Sequence, residues 1–92
     1  MADPVSWYLI EQGWDVVDSD GEELGKIEET VGDSTRDIFD GLAVATSVLA
    51  KPRYVPAEKV GEIVEGEVRL TIDQARFEQL GEYDGAPPTE RV

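Results

Sequence analysis

The chain has 92 residues, no cysteine or histidine, and a formal net charge of -13 from 8 basic and 21 acidic residues. A chain of this length builds one modest core, and its composition excludes a disulfide framework, a thiolate nucleophile and the side chain most used for metal binding and proton transfer near neutrality. The negative charge repels phosphate backbones and anionic lipid surfaces at long range, so nucleic acid is not the favoured partner.

The first predicted strand is centred on Val16 and is followed by a turn. Trp14 and Val16 alternate with Asp15, which is the spacing of a half-buried strand. Residues 18–21 then read Asp-Ser-Asp-Gly, a run of residues that favour turns. The sequence therefore predicts a hairpin turn directly after this strand.

The same turn offers alternate carboxylates at Asp18, Asp20 and Glu22, which invites a calcium-site interpretation. Calcium loops of the helix-loop-helix type place a glycine after three alternating ligands and a bidentate Glu at the twelfth position. Here Gly21 directly follows Asp20, so the spacing fails. We interpret these residues as ordinary turn formers and expect no metal or other cofactor.

The second predicted strand contains a spacing that strict alternation does not explain. Leu24 and Ile27 are both apolar but lie three residues apart, so one residue must be inserted if both are to face the same side of a sheet. Gly25 lies between them and predicts a β-bulge. From Ile27 the alternation continues to Val31, which predicts that these two side chains share a face.

Residues 41–50 contain no charged side chain, and a strand formed by them is nearly apolar on both faces. Such a strand is typical of a covered position. The cover is either the rest of the chain or a second copy of it. If Ala43, Ala45 and Ser47 face outward, their small side chains allow a second molecule to approach closely, which predicts a homodimer through this strip.

No stretch of the sequence predicts insertion into a membrane. The longest mostly apolar run, residues 42–50, is interrupted by Thr46 and Ser47 and falls far short of the ~20 residues that a spanning helix needs. The chain starts Met-Ala-Asp-Pro, without the basic and apolar regions of a secretory signal. We therefore expect a cytoplasmic protein, and its acidity is also what a high-salt cytoplasm favours.

A short basic segment overlaps the apolar run, which Lys51 and Pro52 interrupt after residue 50. Residues 42–57 carry two basic residues and no acidic one, in a chain that is otherwise strongly acidic. Lys51, Arg53 and Tyr54 resemble the composition of interface hot spots, and Tyr54 is expected to place its hydroxyl at the rim. We take these three as candidate partner-binding residues.

The last predicted elements are a strand and a short helix. The clearest alternation in the chain is formed by Val68, Leu70 and Ile72. Asp73 is suited to cap a helix that runs through Leu80, and Gly81 is suited to follow its C-terminus. Another single turn of helix is predicted after Pro56. The longer helix is expected to lie as a lid on the sheet.

We expect one domain over residues 1–83 and a disordered tail over residues 84–92. The tail is polar and contains two consecutive prolines, so too little apolar area is present to offset the entropy of ordering it. Short strands separated by turns, with only brief helices, favour a mainly β fold in the form of a small barrel.

The order of these motifs resembles the PRC-barrel family, which is named for the H subunit of photosynthetic reaction centres and also occurs as the C-terminal half of a ribosome maturation factor. The matching segments are residues 13–21 (GWDVVDSDG), 24–27 (LGKI), 53–56 (RYVP) and 60–72. The resemblance implies a β-barrel of about six short strands with one or two short helices and an interior filled by side chains. It also implies an adaptor that binds proteins, with no catalytic set to carry over.

The leading hypothesis is therefore a non-enzymatic, protein-binding adaptor whose partner the sequence does not identify. The alternative is a ribosome- or RNA-associated assembly factor, in which the basic segment contacts nucleic acid. A third hypothesis is a binder of a small ligand or metal. Trp14, Phe39 and Phe77 are interpreted as core residues rather than as a stacking platform, because Trp14 and Phe77 are in phase with apolar neighbours.

Overall fold

The computed structural model describes residues 5–33, 35–47 and 50–83, so the predicted tail at 84–92 lies outside the described residues. The described chain forms six β-strands, one α-helix and two 3-10 turns. The strands are β1 (Asp15–Val17), β2 (Glu23–Asp33), β3 (Ile38–Ala45), β4 (Arg53–Pro56), β5 (Val60–Val64) and β6 (Glu67–Leu70). The helix is α1 (Gln74–Phe77), and the 3-10 turns are Trp7–Leu9 and Ala57–Lys59.

The six strands form one mixed sheet in the order β4-β3-β2-β1-β6-β5. All neighbours are antiparallel except β1 and β6, which are parallel. The predicted mainly β, barrel-like fold with about six strands is confirmed. The sheet is not closed, because β4 and β5 are its outer strands and do not pair with each other within the described residues.

One face of the sheet carries the main core. Its fully buried side chains come from every strand except β5, and from the helix: Val16, Ile27, Leu42, Val44, Val55, Val68, Leu70 and Phe77. Val68 and Leu70 therefore face the core as their alternation predicts. Burial of this apolar surface is the main favourable contribution to folding.

Helix α1 covers this core as predicted, but it is shorter than the sequence indicates. Asp73 caps it by accepting a hydrogen bond from the backbone N–H of Arg76 at 2.9 Å. Phe77, the last residue of the helix, places its side chain in the main core. After Phe77 the backbone hydrogen bonds change to the 3-10 pattern: the N–H of Leu80 donates to the carbonyl of Phe77, three residues back. Gly81 consequently does not adopt the left-handed conformation expected after a helix.

Two bulges shape β2. Val16 pairs with Gly25 and Val17 with Glu23, so Leu24 is the inserted residue and the bulge predicted beside Gly25 is confirmed. The second bulge was not predicted. Its inserted residue lies between Ile27 and Glu29, which pair with the consecutive residues Val44 and Ala43.

The second bulge overturns the predicted alternation from Ile27 to Val31. One extra residue in a strand moves all later side chains to the other face. Ile27 lies in the main core, whereas Val31 belongs to a separate buried cluster. That cluster, on the opposite face of β2, β3 and β4, also contains Ala43, Tyr54 and Tyr83.

The outer edge of β4 is covered by residues 81–83. The N–H of Tyr54 donates to the carbonyl of Gly81 at 2.9 Å, and the N–H of Tyr83 donates to the carbonyl of Pro52 at 2.7 Å. At the other outer strand, the N–H of Val5 donates to the carbonyl of Ile63 in β5 at 2.8 Å. Covered edges are one way in which natural sheets avoid pairing with other chains.

Candidate functional site

The three residues predicted to bind a partner do not form one exposed patch. Arg53 and Tyr54 are consecutive in β4, and consecutive strand residues point to opposite faces. The Arg53 guanidinium donates to the carbonyl of Leu80 at 2.7 Å on the helix side. On the other side, Tyr54 is 5% exposed and its hydroxyl donates to the carbonyl of Asp40 at 2.8 Å.

Tyr54 therefore does not place its hydroxyl at the rim, and this expectation is corrected. Its ring stacks on that of Tyr83, with centroids 5.9 Å apart, inside the second buried cluster. Of the three candidate residues, only Lys51 is exposed, whereas Arg53 is half-buried. A role for Lys51 in partner binding stays a prediction.

The strip predicted to form a homodimer is likewise divided. Ala43 is 0% exposed, because Tyr54 and Tyr83 cover it within the same chain. Ala45 is half-buried and Ser47 is exposed, and both line a shallow surface groove of about 390 Å³. The condition that all three small residues face outward does not hold.

The carboxylate turn at residues 18–22 has a structural role. Asp18 is buried, and its Oδ1 accepts hydrogen bonds from the backbone N–H groups of Asp20 and Glu22 at 2.8 and 2.9 Å. The side chain thus closes the predicted turn. Within residues 5–33, 35–47 and 50–83, no three His, Cys, Asp or Glu side chains are grouped so as to hold a metal ion.

An exposed apolar turn at Trp7–Leu9 is the surface feature that the sequence analysis missed. Tyr8 is 56% exposed and Leu9 is 54% exposed. Among the described residues, the other large apolar side chain with comparable exposure is Ile38, at 44% on β3. Three consecutive large apolar residues cannot all face one core, and that spacing is the signal by which this turn could have been found.

Trp7 fixes the turn to the sheet. Its ring stacks on Phe39 with centroids 5.1 Å apart and 13° between the ring planes. Its indole N–H donates to Oδ1 of Asp37 at 3.3 Å. Gly32 makes this approach possible, since a Cβ there would lie 3.1 Å from Cη2 of the indole.

The chain on both sides of the turn is also anchored. Before it, Val5 is hydrogen-bonded to β5. After it, Ile10 is buried in the main core, and the N–H of Gly13 donates to the carbonyl of Ile27 at 2.8 Å. The backbone that carries Tyr8 and Leu9 is therefore fixed on both sides of the turn. A fixed backbone loses less conformational entropy when a partner binds.

Two charged groups near the strand ends have shifted pKa values. Hydrogen bonding to Asp15, and then to Glu23, raises the pKa of the Lys26 ammonium group. The hydroxyl of Thr35 donates to Asp33 at 2.6 Å and lowers the pKa of that carboxyl. Lys26 is exposed and Asp33 is half-buried, and both shifts follow from local hydrogen bonds at the surface.

The chain matches a known protein family. The family model of the PRC-barrel domain matches residues 12–79, about three quarters of the chain. No curated protein matches. The Trp7–Leu9 turn precedes the matched span, and no helix among the described residues is long and apolar enough to cross a bilayer.

Proposed function

Because the chain belongs to the PRC-barrel family, we propose that it is a non-enzymatic adaptor that binds another protein through its Trp7–Leu9 turn. The barrel-like domain supplies a stable support, and the turn supplies the contact surface. The turn lies outside the span that matches the family. We therefore attribute partner choice to this segment of the chain.

The packing of the domain supports an external binding surface. The main core is filled by apolar side chains from the sheet and the helix, and every buried side-chain nitrogen or oxygen of the described residues has a hydrogen-bond partner. In a curled sheet of this size the space between the sheet and the helix is occupied by the domain's own side chains. Recognition then takes place on the outside.

The observation that carries the proposal is the exposure of Tyr8 and Leu9 side by side on an anchored turn. Single exposed apolar residues are common, but neighbouring ones form a patch that can mark a protein interface. Tyr is also one of the residues enriched at the energetic centres of interfaces. Tyr8 packs edge-on against Trp7, with ring centroids 5.4 Å apart, which restrains it before a partner arrives.

The ribosome- or RNA-associated alternative gains no support from the basic segment. Arg53 is bonded to the carbonyl of Leu80 and lines a small groove that also contains Glu23 and Glu78. Phosphate contacts make affinity fall linearly with the logarithm of the salt concentration, with a slope set by the number of phosphates neutralised. An apolar contact is much less sensitive to salt, so a salt series separates the two functions.

Affinity capture from the lysate of the source cells tests the proposal. The double variant Tyr8→Ser, Leu9→Ser is compared with the wild type by quantitative mass spectrometry of the captured proteins and RNA. We expect a small set of proteins that the wild type captures and the double variant loses by about tenfold or more, because each large apolar side chain contributes about 1.5–3 kcal/mol when buried.

The matched control is Ile38→Ser, which removes an exposed apolar side chain from β3. It should capture the same proteins as the wild type. Surface substitutions change stability by about 0.5 kcal/mol or less, so all variants should remain folded. Far-ultraviolet circular dichroism and thermal unfolding check this. Capture that is equal in the wild type and the folded double variant would refute a role for the turn.

A further inference from the structure

A small groove of about 210 Å³ adjoins the Trp7–Leu9 turn. Val5, Leu9 and Trp14 form its apolar lining, and Glu11 and Glu65 complete it. Its volume is below the range of about 300–1,000 Å³ in which small-molecule sites usually fall. The groove is therefore better suited to a side chain of a partner than to a small-molecule ligand.

The sheet topology brings the two carboxylates of this groove together. Parallel pairing aligns Asp15 of β1 with Glu67 of β6, and the N–H of Asp15 donates to the carbonyl of Gly66 at 3.0 Å. The β5–β6 turn that contains Glu65 is thereby held beside Trp14, close to Glu11. Two distant parts of the chain thus contribute one acidic rim.

Neither carboxylate is neutralised within the described part of the chain. The ion pairs found there join Lys26 to Asp15 and to Glu23, and no Lys or Arg among residues 5–33, 35–47 and 50–83 lies within 4.0 Å of the carboxylates of Glu11 and Glu65. Both residues are exposed. The whole chain adds to their effect with a formal net charge of -13, which attracts cationic segments and disfavours acidic ones.

We propose that this groove binds a segment of the partner protein in which one large apolar side chain is flanked by lysine or arginine residues. The apolar side chain lies against Val5, Leu9 and Trp14, and the flanking cations lie against Glu11 and Glu65. This inference rests on the proposed function and adds the chemistry of the partner to it. Complementary charge of this kind contributes more to specificity and to the rate of association than to affinity.

The test selects peptides from a random 12-residue phage library on the immobilised full chain, with the Tyr8→Ser, Leu9→Ser variant used for counter-selection. The expected sequences carry Leu, Phe or Trp next to two or more Lys or Arg. Synthetic labelled versions are then titrated by fluorescence anisotropy. We expect the Glu11→Gln, Glu65→Gln variant to bind them about fivefold more weakly at low salt and with a flatter dependence on salt.

The control variant is Glu58→Gln, Glu78→Gln, which removes the same charge from exposed residues of the Ala57–Lys59 turn and the end of α1. It should bind the selected peptides as the wild type does. An equal loss in both variants would show that net charge alone acts, and would overturn the assignment to this groove.

The remaining outcomes separate this inference from the proposed function. Selected peptides that are neutral or acidic, but still depend on Tyr8 and Leu9, would overturn the charge inference and leave the adaptor function standing. A selection in which no peptide survives counter-selection, because every binder also binds the Tyr8→Ser, Leu9→Ser variant, would contradict both. A mass near twice 10.1 kDa that the Tyr8→Ser, Leu9→Ser variant restores to one chain would show that a second copy occupies the site.

Discussion

Trp7 and Phe39 stack face to face across 32 residues of sequence, and this contact joins the exposed turn to β3. The pair lies at the border between solvent and the main core, where both side chains are half-buried. Stacked aromatic pairs contribute about 0.5–1.5 kcal/mol beyond the area they bury. The contact thus stabilises the sheet and, at the same time, sets the position of Tyr8 and Leu9.

Replacing Trp7 by Ala should therefore lower both stability and partner binding, although Tyr8 and Leu9 remain. We expect a loss of about 1–2 kcal/mol, and each kcal/mol lowers the melting temperature of a domain of this size by about 4–8 °C. Calorimetry measures this loss, and anisotropy at a temperature well below unfolding measures binding. Trp7→Phe keeps the stack but not the hydrogen bond to Asp37, so it should recover most of the binding.

Tyr54→Phe should lower stability without affecting partner binding. The change removes the hydrogen bond from the hydroxyl to the carbonyl of Asp40, which is worth about 0.5–1.5 kcal/mol. Urea unfolding followed by circular dichroism measures the difference. If the folded variant captured less partner than the wild type, Tyr54 would have a binding role and its assignment to the buried cluster alone would be wrong.

Gly41→Ala should be among the most damaging small substitutions in the chain. A Cβ at this position would lie 2.3 Å from the carbonyl oxygen of Val55 and 2.8 Å from Cζ of Tyr54. Overpacking of this kind costs about 1–3 kcal/mol. Gly81→Ala is the control, because a Cβ there meets nothing within 4 Å; chemical denaturation should show it to be neutral or up to about 1 kcal/mol more stable.

The carboxyl of Asp33 should titrate below its usual value of 3.8 because the hydroxyl of Thr35 donates to it. A carboxyl whose pKa is lower in the folded state adds stability above its unfolded pKa, and this stability is lost as the pH falls through the folded pKa. Thr35→Val should raise the pKa of Asp33 towards 3.8, as measured by an NMR titration of its carboxyl carbon. Thr71→Val, whose hydroxyl bonds to the carbonyl of Lys59 instead, should leave that titration unchanged.

The homodimer hypothesis can be tested by measuring the mass of the protein in solution. Because Ala43 is covered within its own chain, we expect light scattering at about 100 μM, a concentration at which weak pairs associate, to give the mass of one chain, 10.1 kDa. A doubled mass that Ala45→Glu returned to one chain would instead place a dimer interface at the groove lined by Ala45 and Ser47.

Much of the fold is predictable because local signals agree with it. Asp18 and Gly21 form the turn that their residue types favour, and Asp73 caps the helix that it precedes. The spacing of Leu24 and Ile27 requires an inserted residue, and the structure contains one. Each of these features depends on residues a few positions apart, so the sequence contains enough information to infer it.

The errors arise where two distant segments decide the outcome. The bulge after Ile27 follows from pairing with β3 and has no glycine to indicate it. The burial of Tyr54 depends on Tyr83, 29 residues later, whose ring covers the face of β4 that the sequence analysis expected to be exposed. For the same reason the contact of Trp7 with the sheet could not be predicted, because it depends on Phe39, 32 residues later, and on the absence of a side chain at Gly32.

The covered edge of β4 also limits the kind of recognition available to the domain. Many peptide-binding domains add the backbone of their ligand to an open strand, a mode in which main-chain hydrogen bonds supply much of the affinity. Here residues 81–83 already occupy that edge, with an isolated bridge between Arg53 and Glu82, and Pro56 at the end of the strand has no N–H to offer. At this edge, recognition of a partner would then depend on the partner's side chains rather than on its backbone.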